Sequence, residues 1–248
     1  MSMPAHRVDV LAIGAHPDDV ELHAGGTLLR LAALGYSTGI VDLTRGELAT
    51  RGTPEQRAEE SAAAALELGL RHRSQLDLGD GHLADTLASR TAVAAVLRQL
   101  RPRLVLTHHR DQPHPDHTAA ADIVGAAVYL GGLANWHPSA DASPHRPATL
   151  LSFGLPHSVT PSFIVDISDW AARKAAAILC HRSQFGELLP GETASGVSCQ
   201  SFLERVEARQ RHYGSLVQVR HGEAFHVRGI PMVDDPVKFF SRPMDILP

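Results

Sequence analysis

Three times in the first 110 residues, an apolar run of strand length ends abruptly in polar side chains. Val8–Gly14 closes on His16-Pro-Asp18-Asp19, and Ser37–Leu43 gives way to Thr44-Arg-Gly46-Glu47. Arg103–Thr107 runs into His108-His-Arg110-Asp111-Gln112-Pro113-His114-Pro-Asp116-His117. Compact runs of this kind suit strands covered on both faces, the habit of a parallel sheet. Helical patterns separate them. One spans Thr27–Leu34 and stops at Gly35. A second runs to Leu68 before Gly69, with Thr53 as cap, Pro54 in the first turn and Gln56 as capping-box partner. A third spans Thr86–Leu100 and stops at Pro102, and a fourth runs from Thr118 to about Leu130. Gln75–Leu78, Leu150–Phe153 and Phe163–Ile167 read as further strands. Helices are expected from Ser168 or Asp169 to about His181, and from Phe202 to Tyr213. The alternation predicts an α/β fold, a Rossmann-like, mostly parallel sheet sandwiched by helices, with its site at the C-terminal edge of the strands. Gly131–Pro147 and Gly186–Ser198 read as turn-rich loops. No repeat or linker divides the chain, so residues 1–248 are expected to form one domain with 229–248 as a peripheral tail.

Composition narrows the function classes. A formal net charge of -4 gives no electrostatic reason to bind nucleic acid or an anionic membrane. Cys180 and Cys199 are too few for a disulfide framework and read as free thiols. The apolar run to Ile13 is too short to export or span, so a cytoplasmic protein is expected. The unusual number is 16 histidines against 3 tyrosines and 2 tryptophans, and their positions decide what that means.

His16 and Asp19 follow the first strand, while His114 and His117 follow a later one. In a parallel sheet such loops emerge on the same edge, so the two clusters converge although about 100 residues separate them. Two imidazoles and a carboxylate form the ligand set of a catalytic divalent metal, most simply zinc, with a position open for water. Iron and manganese use the same donors. Asp18, beside a ligand, is placed to take a proton from water. His114 reaches the opposite side of the substrate, and Asp116 orients it by hydrogen bonding. The bland reading of either cluster alone is a capped helix start with surface histidines. Two clusters at two strand ends favour hydrolytic chemistry: a Lewis acid, a carboxylate base, and a protonated His114 facing the oxyanion.

The motifs Ala15-His16-Pro-Asp18-Asp19, Gly25-Gly26-Thr27, Thr44-Arg-Gly46-Glu47, Arg57-Ala-Glu-Glu60 and His114-Pro-Asp-His117 resemble the LmbE/PIG-L family of metal-dependent N-acetylglucosaminyl deacetylases. Phe163-Ile-Val-Asp166, Arg182-Ser-Gln-Phe185, Glu207-Ala-Arg209 and Gly222-Glu-Ala-Phe225 are similar to the bacillithiol-biosynthesis branch, which acts on N-acetylglucosaminyl malate. The resemblance spans residues 8 to about 226. It implies His16, Asp19 and His117 as metal ligands, Asp18 as general base, and His114 with Asp116 as electrophilic partner and its support. It also implies Arg57 as a substrate-binding arginine, whose bland alternative is a surface pair with Glu60 or Glu55. Glu47 and Arg110 are further candidates for substrate contact. The branch implies a homo-oligomer, a hexamer, and the tail beyond Gly229 is compatible with subunit contacts. One departure stands out: two residues, Gln112-Pro113, separate Asp111 from the His-Pro-Asp-His run, where the branch usually has one. The alternatives are deacetylation of another glucosaminyl conjugate or a chitooligosaccharide, and a non-catalytic metal-binding protein. Nucleotide binding is a poor choice, because Gly14-Ala-His-Pro is not the dinucleotide fingerprint.

Overall fold

The apolar runs become the centre of a seven-stranded sheet in the computed structural model, which describes residues 7–136, 143–186, 199–239 and 241. In chain order the elements are β1 (Val10–Gly14), α1 (Asp19–Ala33), β2 (Thr38–Asp42), α2 (Pro54–Leu68), β3 (His72–Gln75), α3 (Leu87–Leu100), β4 (Leu104–His108) and α4 (Pro115–Gly131). There follow β5 (Thr149–Phe153), β6 (Phe163–Asp166), α5 (Ala171–Leu179), the short α6 (Arg182–Phe185), α7 (Cys199–Ser215), β7 (Gly222–Val227) and α8 (Pro236–Phe239). The strand order is β3-β2-β1-β4-β5-β7-β6. Strands β1 to β5 are parallel, and β7 runs antiparallel to both of its neighbours.

Strand residues alternate between two cores, as a period of two requires. Leu11 and Ile13 pack with α3 and α4 residues such as Val93, Leu97 and Val124. Val10 and Ala12 pack on the other face with Leu28 of α1 and Ala177 of α5. The order turns back at β1, which lies between β2 and β4. A crevice therefore opens where the chain leaves β1 and β4 in opposite directions. Among the described residues, no helix is long and apolar enough to cross a membrane.

Of the differences from the sequence expectation, those at α1, α4, β3 and β7 bear on the site and its frame. Helix α1 starts at Asp19 and takes Gly25 and Gly26 inside it. A Cβ on Gly26 would lie 2.8 Å from Ile167 Cδ1, so glycine serves close packing there. The Gly26 and Thr27 amides also donate to the Glu223 carboxylate, at 2.9 and 2.7 Å. Helix α4 starts at Pro115, three residues early, with His114 as its N-cap. Strand β3 is the half-buried, polar His72–Gln75, while Leu76 and Leu78 pack on the core from the loop beyond it. Strand β7, not expected, supplies the antiparallel edge. Residues 137–142, 187–198 and 242–248, including most of the second turn-rich loop, lie outside the described residues.

Candidate functional site

Strands β1 and β4 pair directly, which brings the two polar bursts side by side. The His16 amide donates to Asp19 Oδ2 at 2.7 Å, folding the loop so that ring and carboxylate meet. His16 Nδ1 then stands 3.4 Å from Asp19 Oδ2, and His117 Nε2 stands 3.3 Å from Asp19 Oδ1. One ligand atom from each of His16, Asp19 and His117 lies within 4.8 Å of the others. Donors at about 2.0–2.1 Å from a tetrahedral ion sit roughly 3.3 Å apart, so the spacing fits a divalent metal. The donor set does not choose between zinc, iron and manganese.

The remaining nitrogen of His16 faces carboxylates: Nε2 is 3.1 Å from Asp80 Oδ1 and 3.2 Å from Asp116 Oδ2. This corrects the expected partner of Asp116. Its carboxylate serves His16 and accepts the Gly81 amide at 2.7 Å. Its link to His114 runs through the backbone, the Asp116 amide donating to His114 Nδ1 at 3.2 Å. Asp80 is fixed in turn, accepting the Leu48 amide at 2.9 Å and donating its own amide to Glu47 Oε1 at 2.8 Å. Glu47, which also accepts the Arg45 amide at 3.1 Å, thus spends its carboxylate on holding two loops together.

Asp18 has a backbone φ of 112° at the start of α1, a conformation that a non-glycine residue adopts only under constraint. Arg57 supplies the constraint. It is 3% exposed, and its guanidinium donates to Asp18 Oδ2 at 3.2 Å and to the Pro17 carbonyl. The alternative pairing with Glu60 or Glu55 is not formed, since Glu60 accepts from Ser183 and Glu55 meets Arg45. Arg110 is not gathered into the site. It pairs with Asp122 at 2.7 Å on the surface, with a side chain 58% exposed.

Desolvation would lower His16, but the hydrogen bond and charge of Asp19, aided by Asp80 and Asp18, raise it to about 9. Burial would raise Asp19, yet His108, His117 and His16 hold it well below the usual carboxylate range. Burial pushes Asp18 up to about 7, Asp19 adding to this and Arg57 opposing it. His114 is lowered by burial and by the neighbouring His117 and His16. Both effects work against the protonated His114 expected from sequence. With Nδ1 taken by the Asp116 amide, its proton sits on Nε2.

Three residues at the site were not singled out by sequence reasoning. Asp80 backs His16. Buried His108 accepts the Ala15 amide at Nε2, 3.0 Å away, and meets Asp19 Oδ2 at 3.2 Å. Gln112 meets His117 Nδ1 at 2.5 Å. The position of His108 and Gln112 within the burst after β4 was the available signal; Asp80 had only its place in a Gly-Asp-Gly turn. His82 is exposed, and His109 packs against His226 rather than the His16–Asp19–His117 cluster.

Residues 11–128 match the PIG-L family model, described as GlcNAc-PI de-N-acetylase. A diacetylchitobiose deacetylase from Thermococcus kodakarensis is 33% identical over 188 residues, covering 72% of this chain and 70% of that protein. The conserved protein TT1542 from Thermus thermophilus has a TM-score of 0.82 at 41% identity, over 92% of this chain and 98% of its own. The N,N'-diacetylchitobiose deacetylase of Pyrococcus horikoshii has a TM-score of 0.77 at 25% identity, over 90% and 85% of the two chains. With its His/Asp cluster at the edge of a parallel sheet, this chain belongs to the PIG-L family of metal-dependent deacetylases of N-acetylglucosaminyl conjugates.

Proposed function

We propose that the protein hydrolyses the acetamide of a small N-acetylglucosaminyl sugar, diacetylchitobiose being the first candidate, to acetate and a free amine. The observation that carries this reading is the gathering of His114, its ring 4.9 and 4.7 Å from those of His16 and His117, and of Asp18, whose charge acts on His16 and Asp19, around the His16–Asp19–His117 cluster. A divalent ion held by those three residues, zinc for preference, would supply the Lewis acidity that polarises the acetyl carbonyl and makes water acidic. Asp18, with a pKa raised to about 7 by burial, is poised to take the proton of the attacking water and pass it to the nitrogen as the C–N bond breaks. His114 donates its Nε2 proton as a neutral hydrogen bond toward the developing oxyanion. Arg57 holds Asp18 in position instead of reaching the substrate.

A second reading, N-acetylglucosaminyl malate as substrate, is favoured by a cavity of about 270 Å³ beside the start of α1. Leu22, His23 and Gly154 are among its walls, and the Gly154 carbonyl accepts from Gln112 beside His117. Arg205, Arg209 and Lys174 line it with one carboxylate, Glu223, which is already paired with Lys174 at 2.7 Å. Such a cationic pocket suits an acidic aglycone. Purified protein loaded with zinc and given GlcNAc, diacetylchitobiose and N-acetylglucosaminyl malate, with free amine measured, tests both. Release from diacetylchitobiose supports the first reading. Release from the malate conjugate alone, lost on Arg209→Gln, supports the second. No amine from any of them under any divalent ion refutes the proposed activity. The exposed Ile230, Met232, Val237 and Phe239 support the subunit-contact reading of the tail; a monomer mass by light scattering would exclude it.

A further inference from the structure

We infer that Gln112 is the positioning residue of His117, fixing which of its nitrogens is free to bind metal, and that position 154 is glycine to make room for it. The inference rests on His117 being a metal ligand, as proposed above. The Gln112 amide is oriented from its far side. Nε2 lies 2.6 Å from the Gly154 carbonyl and 3.3 Å from the Phe153 carbonyl. Carbonyl oxygens only accept, so the NH2 group has to face them and Oε1 has to face His117. Oε1 only accepts in turn, so the His117 nitrogen 2.5 Å away, Nδ1, carries the proton. Nε2, the nitrogen 3.3 Å from Asp19 Oδ1, is therefore the one left to offer its lone pair when a metal replaces the proton between them. One neutral side chain selects the tautomer that the ligand set needs.

The anchor is rigid. Phe153 is fully buried at the end of β5 and registered opposite His108 of β4. Gly154 follows with φ of +66°, and a Cβ there would fall 2.2 Å from Gln112 Nε2. The amide thus occupies the space that any other residue would fill, while the positive φ already favours glycine. The two-residue spacer Gln112-Pro113 before His114, the departure seen in the sequence, is what places this amide. The two histidines are backed unequally. His16 Nε2 faces the carboxylates of Asp80 and Asp116, whereas His117 is backed by an uncharged amide. Loss of such an outer partner typically weakens metal binding by about 10–100-fold.

Gln112→Met keeps the length of the side chain and removes both hydrogen-bonding ends. Zinc affinity would be measured by competition with a chromophoric chelator, beside circular dichroism and thermal melting. The expected result is an affinity roughly 10–100-fold weaker in a protein that still folds. Gly154→Ala, which touches no ligand, should weaken zinc binding in the same direction by displacing the amide. Long-range 1H–15N spectra of the zinc-loaded parent should show the His117 proton on Nδ1. This readout stands even if a variant fails to fold. The inference is overturned by a Gln112→Met protein that binds zinc within twofold of the parent, or by a zinc-loaded parent whose His117 carries its proton on Nε2. His117→Ala separates the two levels: if it still binds zinc like the parent, the ligand assignment itself is wrong.

Discussion

Loading the site with a divalent ion should release a proton from His16, so metal affinity should keep rising at pH values where ordinary histidine sites have levelled off. His16 has anionic neighbours at both ring nitrogens, Asp19 on Nδ1 and Asp80 with Asp116 on Nε2. These overcome desolvation and raise the ring to about 9. A metal taking Nδ1 must displace that proton, while the Nε2 proton stays on its carboxylates. At pH 7 a group with a pKa of about 9 is protonated about 100 to 1. Displacing the proton then costs about 2.7 kcal/mol, at 1.36 kcal/mol per unit. The sign follows from the proton count: below pH 9 the empty site holds a proton that the loaded site lacks. The Kd should therefore fall about tenfold per pH unit from 7 and flatten near pH 9. Competition against a fluorescent chelator, calibrated for its own titration from pH 6.5 to 10, measures this. Asp80→Asn removes one of the charges that raise the ring and should move the plateau to lower pH. A Kd that is constant above pH 7 would falsify the reasoning, because His16 would then not hold the proton that the geometry gives it.

Asp18→Asn should cut turnover by about 10²–10⁴ with metal content unchanged, as read by metal analysis; metal lost with turnover largely intact would reverse the roles of Asp18 and its neighbours. Arg57→Lys keeps the charge but loses the two-point hold on Asp18 and Pro17, so kcat should drop while KM stays. A rise in KM alone would return Arg57 to substrate binding. Lys174→Met leaves Glu223 buried without its cation, although the Gly26 and Thr27 amides remain. The expected loss is about 3 kcal/mol, the low end for a broken buried pair, or a melting temperature roughly 6–12 °C lower. Adding Glu223→Gln should recover most of it, and a double variant less stable than the single would sink this account.

The parallel half of the sheet was legible because β1, β2 and β4 are buried on both faces, and burial leaves an unbroken apolar run in the sequence. The antiparallel edge was not. Strand β7 reads Gly-Glu-Ala-Phe-His-Val, and its Glu223 looks like a surface acid until it is found paired with Lys174 against two amides of α1. Long-range partners override local propensity there. The same carboxylate explains why the extent of α1 was misjudged. Two consecutive glycines argue against a helix interior on propensity alone, and only the closeness of Ile167 and Glu223 shows why small residues with free amides are needed.

Within the site, identity was more legible than relation. Histidines and aspartates at strand ends announce their chemistry, but which one holds which depends on side-chain directions that no spacing encodes. Arg57 shows how far this goes. Its motif suggested a contact with substrate, yet its guanidinium is buried, donates to Asp18 and Pro17, and lies so close to Gly46 that a Cβ there would be 2.8 Å from its Cζ. A side chain packed in this way has part of its guanidinium committed to the Asp18 turn. Its charge opposes the rise that burial imposes on Asp18, and its hydrogen bonds offset a backbone strain of order 1–3 kcal/mol at that residue. The strained turn thus persists because the arginine behind it bonds both Asp18 and Pro17 in that geometry, which turns the Asp18 carboxylate to Arg57 and the Asp19 carboxylate to His16 and His117.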